Sequence, residues 1–469
     1  MKLRSLLLLL SFLTYFSPLS AQTPKYIFYL IGDGMGLNHV NLSEIYLAEI
    51  NNKIGYQPSI LSQFPVVSFA SSNSLSNGVT DSSAGGTALA VGKKTSNGVV
   101  AMDSTGTIPY KSIAYAAKEK GLKVGITTSV SIDHATPASF YAHQSSRNMY
   151  YEIASEIVSS KFDFFAGAGF MKTNVTFDKK DATDIYSILD KGGYKVIRGK
   201  NGFNSNAFKG EKIVWTNNEN ESFDALKFAI DQQPNDMSLE DITKGAIHAL
   251  SVDNKKGFFL MVEGGKIDWS SHSNDAATTL KEVLDFQKTI QLAYNFYLKY
   301  PKETLIVVTA DHETGGMAIG NGSSKTNVSL LQHQKVSQGI LSSKIGELRK
   351  QKPNATWEDV KNVISSNTGL WHAVKVSEVD EKEIKKAYEK SFVNHENETS
   401  KSLYANDDKI ASLSIQTLNK LASIGWASNN HSAAYIPIYA IGAGAELFNK
   451  KMDNTDISKK IAEAAKLNF

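Results

Sequence analysis

Three short apolar runs in this chain end alike, in an acidic residue set close to glycines. YLIGDGMG closes on Asp33, FFLMVEGG on Glu263 and LIVVTADHETGG on Asp311-His312. The runs are rich in Ile, Val, Phe and Tyr and do not alternate strictly, so they read as strands buried on both faces. Residues 122–128 and 435–441 make two further runs of this kind, and segments of helical character, 114–120 and 276–297 among them, lie between the runs. The succession predicts an α/β fold with a mostly parallel central sheet and helices on both faces. In open sheets of that class ligands collect beyond the carboxyl ends of the strands. Acids at three such ends, with glycines that let backbone approach closely, therefore predict a functional site.

Two further segments carry chemistry. In Asp268-Trp-Ser-Ser-His272 the acid and the imidazole are four residues apart, on one face of a helical turn, where both can reach one ion. A plain surface pair has the same spacing. Asp311 and His312 are adjacent and would point to opposite faces of a strand. They serve one site only if the strand ends there, and Gly315-Gly316 suggest that it does. Carboxylates with imidazoles suit zinc, whereas an oxygen-only set such as Asp, Glu and Thr suits magnesium. TDSSAGGTA, residues 80–88, sets an acid and two hydroxyls before a run of very small residues. It reads as a helix that starts at the serines and packs closely on the sheet, its N-terminus suited to a phosphate. A plain N-cap accounts for TDSS equally well. A serine nucleophile there has no nearby histidine in sequence, and a metal acting as Lewis acid would supply the activation.

Composition narrows the partners. The 469 residues suffice for one large α/β domain with insertions. The net charge of +3 includes Lys2 and Arg4, so a polyanion partner such as nucleic acid is not implied. Residues 1–21 read as a secretory signal peptide: Lys2 and Arg4, an apolar stretch from Leu6 to Phe16, and Ser20-Ala21 before Gln22. The stretch is shorter than the roughly 20 residues that span a bilayer, so no stable membrane anchor is expected after cleavage. A periplasmic or secreted protein follows, and with no Cys in the chain it has no disulfides. Residues 22–469 read as a single domain. Polar insertions at about 174–235 and 320–424 lie on the sheet, the latter carrying the charge run DEKEIKKAYEK of a solvated helix.

Six blocks in order, IGDGMG, TDSSAGGTA, HATPASFYAHQSSR, VEGGKIDWSSH, TADHETGG and NHSAAYIPIYAIGAGAELF, resemble the alkaline phosphatases. The match runs from about Lys25 to Phe448 and leaves out the two insertions. The resemblance implies a three-layer sandwich and hydrolysis of phosphate monoesters through a phosphoserine, with two Zn2+ and one Mg2+. It places the nucleophile at Ser82 and the phosphate-gripping arginine at Arg147. Asp268, His272 and His431 match the ligands of one zinc, and Asp33, Asp311 and His312 those of the other. Asp33 would also reach the magnesium, with Thr136 and Glu263. His134 and Trp269 stand where the enteric bacterial enzyme has an aspartate and a lysine, beside the third metal and the phosphate. Homodimers and monomers both occur in the family. A metal-dependent phosphodiesterase of the same superfamily, or a non-catalytic phosphate- or metal-binding protein, is the alternative. The first usually carries Thr as nucleophile and lacks the arginine, which TDSS and AHQSSR both oppose.

Overall fold

Ten strands form the central sheet of the computed structural model, which describes residues 23–203, 210–322 and 324–469. The leader-like residues 1–21 lie outside that description. The strands are β1 (Tyr26–Gly32), β2 (Val66–Ser71), β3 (Lys123–Thr128), β4 (Phe164–Ala166), β5 (Tyr194–Arg198), β6 (Lys212–Thr216), β7 (Phe258–Gly264), β8 (Thr304–Thr309), β9 (Ile436–Gly442) and β10 (Met452–Asp453). Across the sheet they run β10-β2-β9-β8-β1-β7-β3-β4-β6-β5. All neighbours are parallel except that β9 runs antiparallel to both β2 and β8. β7 and β8 are buried at every position and β1 at all but its first, as unbroken apolar runs predict for strands covered on both faces. Phe28, Phe258 and Phe259 are among the largest fully buried side chains, each stabilising the core by about 1.5–3 kcal/mol.

The register sets the acidic ends side by side. Ile31, two residues before Asp33, pairs with Glu263 on one side and Thr309 on the other, and Thr128 pairs with Glu263 from β3. The TDSS segment forms the helix Ser82–Val91, all ten residues buried. Its small side chains have a steric cause. A Cβ on Gly85 would lie 2.8 Å from the Asp311 carbonyl oxygen, and one on Gly86 would lie 3.1 Å from the Thr136 Cα. The helix therefore rests directly on the backbone of two predicted site residues.

Segment 174–235, read from sequence as an insertion lying on the sheet, instead supplies β5 and β6 and extends the sheet to its edge. YKVIR and KIVWT are short and embedded in Asn- and Lys-rich sequence, which conceals their strand character. The 320–424 segment builds a second core. Its helices Gln338–Gln351, Trp357–Thr368, Glu378–Tyr388 and Lys409–Leu421 bury Leu341, Ile345, Val360, Ile364, Ile384, Ile415 and Leu418 with Leu42 and Leu280. Among the described residues no helix is long and apolar enough to cross a membrane.

Candidate active site

Asp33 follows β1 directly, and its N–H donates to the Gly264 carbonyl at the end of β7, 3.2 Å away. Gly34, next in the chain, has φ +70°, and a Cβ there would lie 2.9 Å from Asp268. Only glycine can make this turn so close to the neighbouring acid. Asp311 sits just past β8, where the chain leaves the extended conformation; its Oδ1 accepts from the Gly34 and His312 N–H groups at 3.1 and 3.0 Å. Thr136 Oγ1 donates to Asp311 Oδ2 at 3.3 Å, and Thr128 Oγ1 donates to Glu263 Oε2. Asp268 and His272 lie on the helix Lys266–His272, with His272 Nε2 3.3 Å from Asp268 Oδ1. His431 arrives from the opposite direction. It begins a two-residue ladder with Glu313-Thr314, just ahead of the reversed strand β9.

These side chains form three groups: Asp268, His272 and His431; Asp33, Asp311 and His312; and Asp33, His134 and Glu263. Within each, the ligand atoms lie within 4.8 Å of one another. Asp33 belongs to two groups, which places it between them. Burial, reinforced by the carboxylates of Asp311, Asp268 and Glu263, raises the Asp33 pKa well above the usual carboxylate range. Burial likewise raises Glu263 to about 8 and Asp311 to about 7. Burial also acts to raise Asp268, but the imidazoles of His272, His431 and His312 around it outweigh that and hold it well below.

Whether metal ions fit can be judged from the hydrogen bonds. His272 Nδ1 lies 2.5 Å from the Asn429 carbonyl and His431 Nδ1 2.8 Å from the Thr80 carbonyl. Each Nδ1 therefore carries a proton, and a neutral ring leaves a bare lone pair on Nε2. The two Nε2 atoms face each other at 3.1 Å. His312 follows the same rule: Nδ1 is 3.2 Å from Thr314 Oγ1, whose own proton goes to Asp268 Oδ1. Its Nε2 then points at Asp33 Oδ1 and Asp311 Oδ2, 3.3 and 3.4 Å away. Asp33 Oδ2, Asp268 Oδ2 and Glu263 Oε1 are buried with no hydrogen-bond partner among the described residues. Converging lone pairs and unpartnered carboxylate oxygens are a poor arrangement by themselves and a suitable one around cations. The residues fit metal ions.

The two serines of TDSS separate cleanly. Ser83 Oγ donates to Asp81 Oδ2 at 2.7 Å and accepts from the Gly98 N–H at 2.9 Å, so it is committed to the loop. Asp81 caps the helix through Ala84 N–H at 2.9 Å. Ser82 Oγ instead lies 3.3 Å from His312 Nε2, inside the cluster. Arg147 has Nη1 3.4 Å from Asp81 Oδ2 and Nη2 3.3 Å from His134 Nε2. Burial, with the Arg147 charge nearby, lowers His134 to about 3, so its ring is neutral. Trp269 is on the same helix as Asp268 and joins the wall beside His134, ring centroids 6.1 Å apart.

The sequence model of the family described as Alkaline phosphatase matches residues 24–169 and 178–467. The chain belongs to the alkaline phosphatase family. Alkaline phosphatase 3 of Bacillus subtilis (strain 168) is 32% identical over 453 residues, covering 95% of this chain and 90% of that protein. Alkaline phosphatase 4 of the same organism is 32% identical over 385 residues, 81% of this chain and 75% of that one. Among solved structures, the cold-active alkaline phosphatase of a psychrophilic Shewanella sp. superposes with TM-score 0.78 at 26% identity, over 94% of this chain and 99% of that one. A histidine-to-aspartate mutant of the alkaline phosphatase from the Antarctic bacterium TAB5, with Mg bound in its M3 site, gives TM-score 0.65 at 25% identity, over 96% and 100% of the two chains. Alkaline phosphatases are metal-dependent hydrolases, and all twelve side chains singled out from sequence line one region of this member of the family. One residue escaped sequence reasoning. Tyr404, from the second insertion, stacks on Trp269 with ring centroids 4.4 Å apart. It lies outside all six recognised blocks, and SLYANDD carries no chemical signal of its own.

Proposed function

We propose that the chain hydrolyses phosphate monoesters to an alcohol and inorganic phosphate, with Ser82 as nucleophile. The observation that carries this reading is the placement of Ser82. Its hydroxyl lies at the first residue of a buried helix, 3.3 Å from His312 Nε2 in the imidazole–carboxylate cluster, and Arg147 bonds to Asp81, the residue just before it, while its neighbour Ser83 is tied to Asp81. Two zinc ions, held by Asp268, His272 and His431 and by Asp33, Asp311 and His312, and a magnesium ion near Asp33, Glu263 and Thr136, would supply Lewis-acid stabilisation of the alkoxide oxygens.

The protein groups have distinct tasks. Arg147 presents a planar fork of donors, and its guanidinium, fixed by Asp81, grips two oxygens of the phosphoryl group. The N–H groups that open the helix Ser82–Val91 add positive potential where that group sits. Ser82 reacts as its alkoxide: Oγ forms the bond to phosphorus and the ester oxygen leaves as the alcohol. Water then attacks the phosphoserine from the vacated side, returning the Ser82 oxygen and releasing phosphate. Because contacts fall on the phosphoryl group, the reading implies a broad range of leaving groups. His134 stands in the third cluster, where the resemblance puts an aspartate in the enteric enzyme, and the magnesium-bound histidine-to-aspartate mutant of the TAB5 enzyme supports the idea that a carboxylate in such a site favours magnesium. The leader reading implies export to the periplasm or medium.

The test is hydrolysis of a small aryl phosphate at alkaline pH, with zinc and magnesium present and again after chelation. Turnover lost on chelation and restored by zinc is expected. Ser82→Ala should lower kcat on the order of 10³-fold or more while the protein stays folded. Near-normal turnover by that variant would sink the covalent route. Cleavage of a diester or sulfate ester in place of the monoester would mean a different reaction at the same site.

A further inference from the structure

The second insertion touches the catalytic cluster through a hairpin, Thr399–Lys401 paired with Asn406–Asp408, whose turn carries Tyr404. The ring is held from several sides. It lies on Trp269 with the planes 12° apart, meets the edge of His272 at 5.4 Å between centroids and stands 6.0 Å from His134. Its hydroxyl accepts from Arg147 Nη2 at 3.4 Å. A phenol that accepts from a guanidinium keeps its own proton to give. Among the described residues no protein acceptor takes that proton.

The geometry around the hydroxyl suggests what does take it. Arg147 Nη1 is anchored on Asp81, the residue that caps the Ser82 helix, and Nη2 faces Tyr404. The phenol therefore stands beside Nη2, the terminal nitrogen of Arg147 that is not held by Asp81. We propose that Tyr404 is a substrate-binding residue: its hydroxyl donates to a non-bridging phosphoryl oxygen beside the two gripped by Arg147, and Trp269 fixes the ring for that contact. The proposal rests on the phosphate-monoester reading of the site and adds to it a donor brought by the second insertion. The insertion then tunes the affinity for the phosphoryl group, including the phosphate product.

Tyr404→Phe keeps the ring and its stack and removes only the oxygen, and Tyr404→Trp is a second hydroxyl-free aromatic should the first fold poorly. The probes are inorganic phosphate and a small aryl phosphate, applied to metal-loaded protein. The phosphate inhibition constant and the KM of the ester should each rise about tenfold, the loss expected for one hydrogen bond to a charged group. Zinc content and thermal midpoint should stay at the parent value, and kcat should fall less than kcat/KM. A phosphate inhibition constant within twofold of the parent overturns the proposal and leaves the phosphatase reading standing. A merely structural tyrosine would lower the midpoint and leave phosphate binding alone. Arg147→Lys completes a double-mutant cycle: the two losses in phosphate affinity should fall short of multiplying, because each group orients the other. Fully multiplicative losses overturn the shared contact. If the parent neither hydrolyses the ester nor binds phosphate by calorimetry, both readings fall together.

Discussion

The strand-end cluster and the helical insertion obey different rules. In the insertion the four α-helices all start on a side-chain cap. Ser337, Thr356, Ser377 and Asp408 each cap a helix through the side chain, Thr356 and Asp359 form a reciprocal capping box, and Gly369 closes its helix at φ 76°. At the strand ends the opposite holds. Carboxylate oxygens are buried without donors, three imidazoles turn their lone pairs inward, and a helix rests on backbone with no side chain between. Local consistency marks the part that serves folding, and concentrated inconsistency marks the part that serves chemistry. The contrast also bears on stability: the insertion has a core of its own, whereas on the proposed reading the cluster draws on bound metal.

Chelation should break this contrast most visibly. Removing metals present at about a thousand times their dissociation constant costs about 4 kcal/mol. The chelated protein should also become pH-sensitive. Glu263 at about 8 and Asp311 at about 7 lie above the unfolded values of 4.5 and 3.8, so the native state binds more protons. Their stabilising contribution is complete below the unfolded values and is lost as pH rises through the folded ones. The thermal midpoint of chelated protein should therefore fall from about pH 4 to pH 8 relative to metal-loaded protein. Parallel curves would show that metals do not hold these carboxylates.

Ile364→Ala, in the second core, is expected to cost 2–5 kcal/mol by the cavity it leaves, read from denaturant unfolding. Metal content should not change; loss of metal would show that the two regions are less separate than their cores suggest. Gly85→Ala sharpens the comparison from the other side. Its Cβ would meet the Asp311 carbonyl, an overpacking cost of about 1–3 kcal/mol. The larger consequence should appear in kcat, because both Ser82 and Asp311 would shift. An activity loss no greater than the loss of stability would count against that view. Thr356→Ala removes an exposed cap and should cost about 1 kcal/mol with turnover untouched.

Much of the sheet was legible because burial on both faces leaves an unbroken apolar signature. Residues 304–309 form β8 with the expected limits, and residues 26–31 form β1 with Gly32 added. The direction of β9 was not legible, since nothing in IPIYAIG distinguishes a reversed strand from a parallel one. β5 and β6 were hidden by brevity and polar surroundings. At the site, residue types and glycines drew attention to Asp33, Glu263 and Asp311, and the six-block resemblance added His431 and Arg147. Residue chemistry alone did not separate the identical neighbours Ser82 and Ser83; the resemblance singled out Ser82, and the coordinates add the physical reason, that Ser83 is held by Asp81 and Gly98. Tyr404 needed the coordinates, because its position depends on how a whole insertion folds back.

The reversed strand has one more consequence, in the order of synthesis. A site assembled only from parallel strand ends could close once β8 had emerged. Here His431 waits for the chain to pass through the whole insertion and turn back beside β8, so the group it forms with Asp268 and His272 is complete only within the last 39 of 469 residues. A nascent or truncated chain lacks one side chain of that group although most of its sheet can already be in place. On the proposed reading, incorporation of an ion there is deferred until the polypeptide is almost finished, and a chain cut short before residue 431 cannot complete that group.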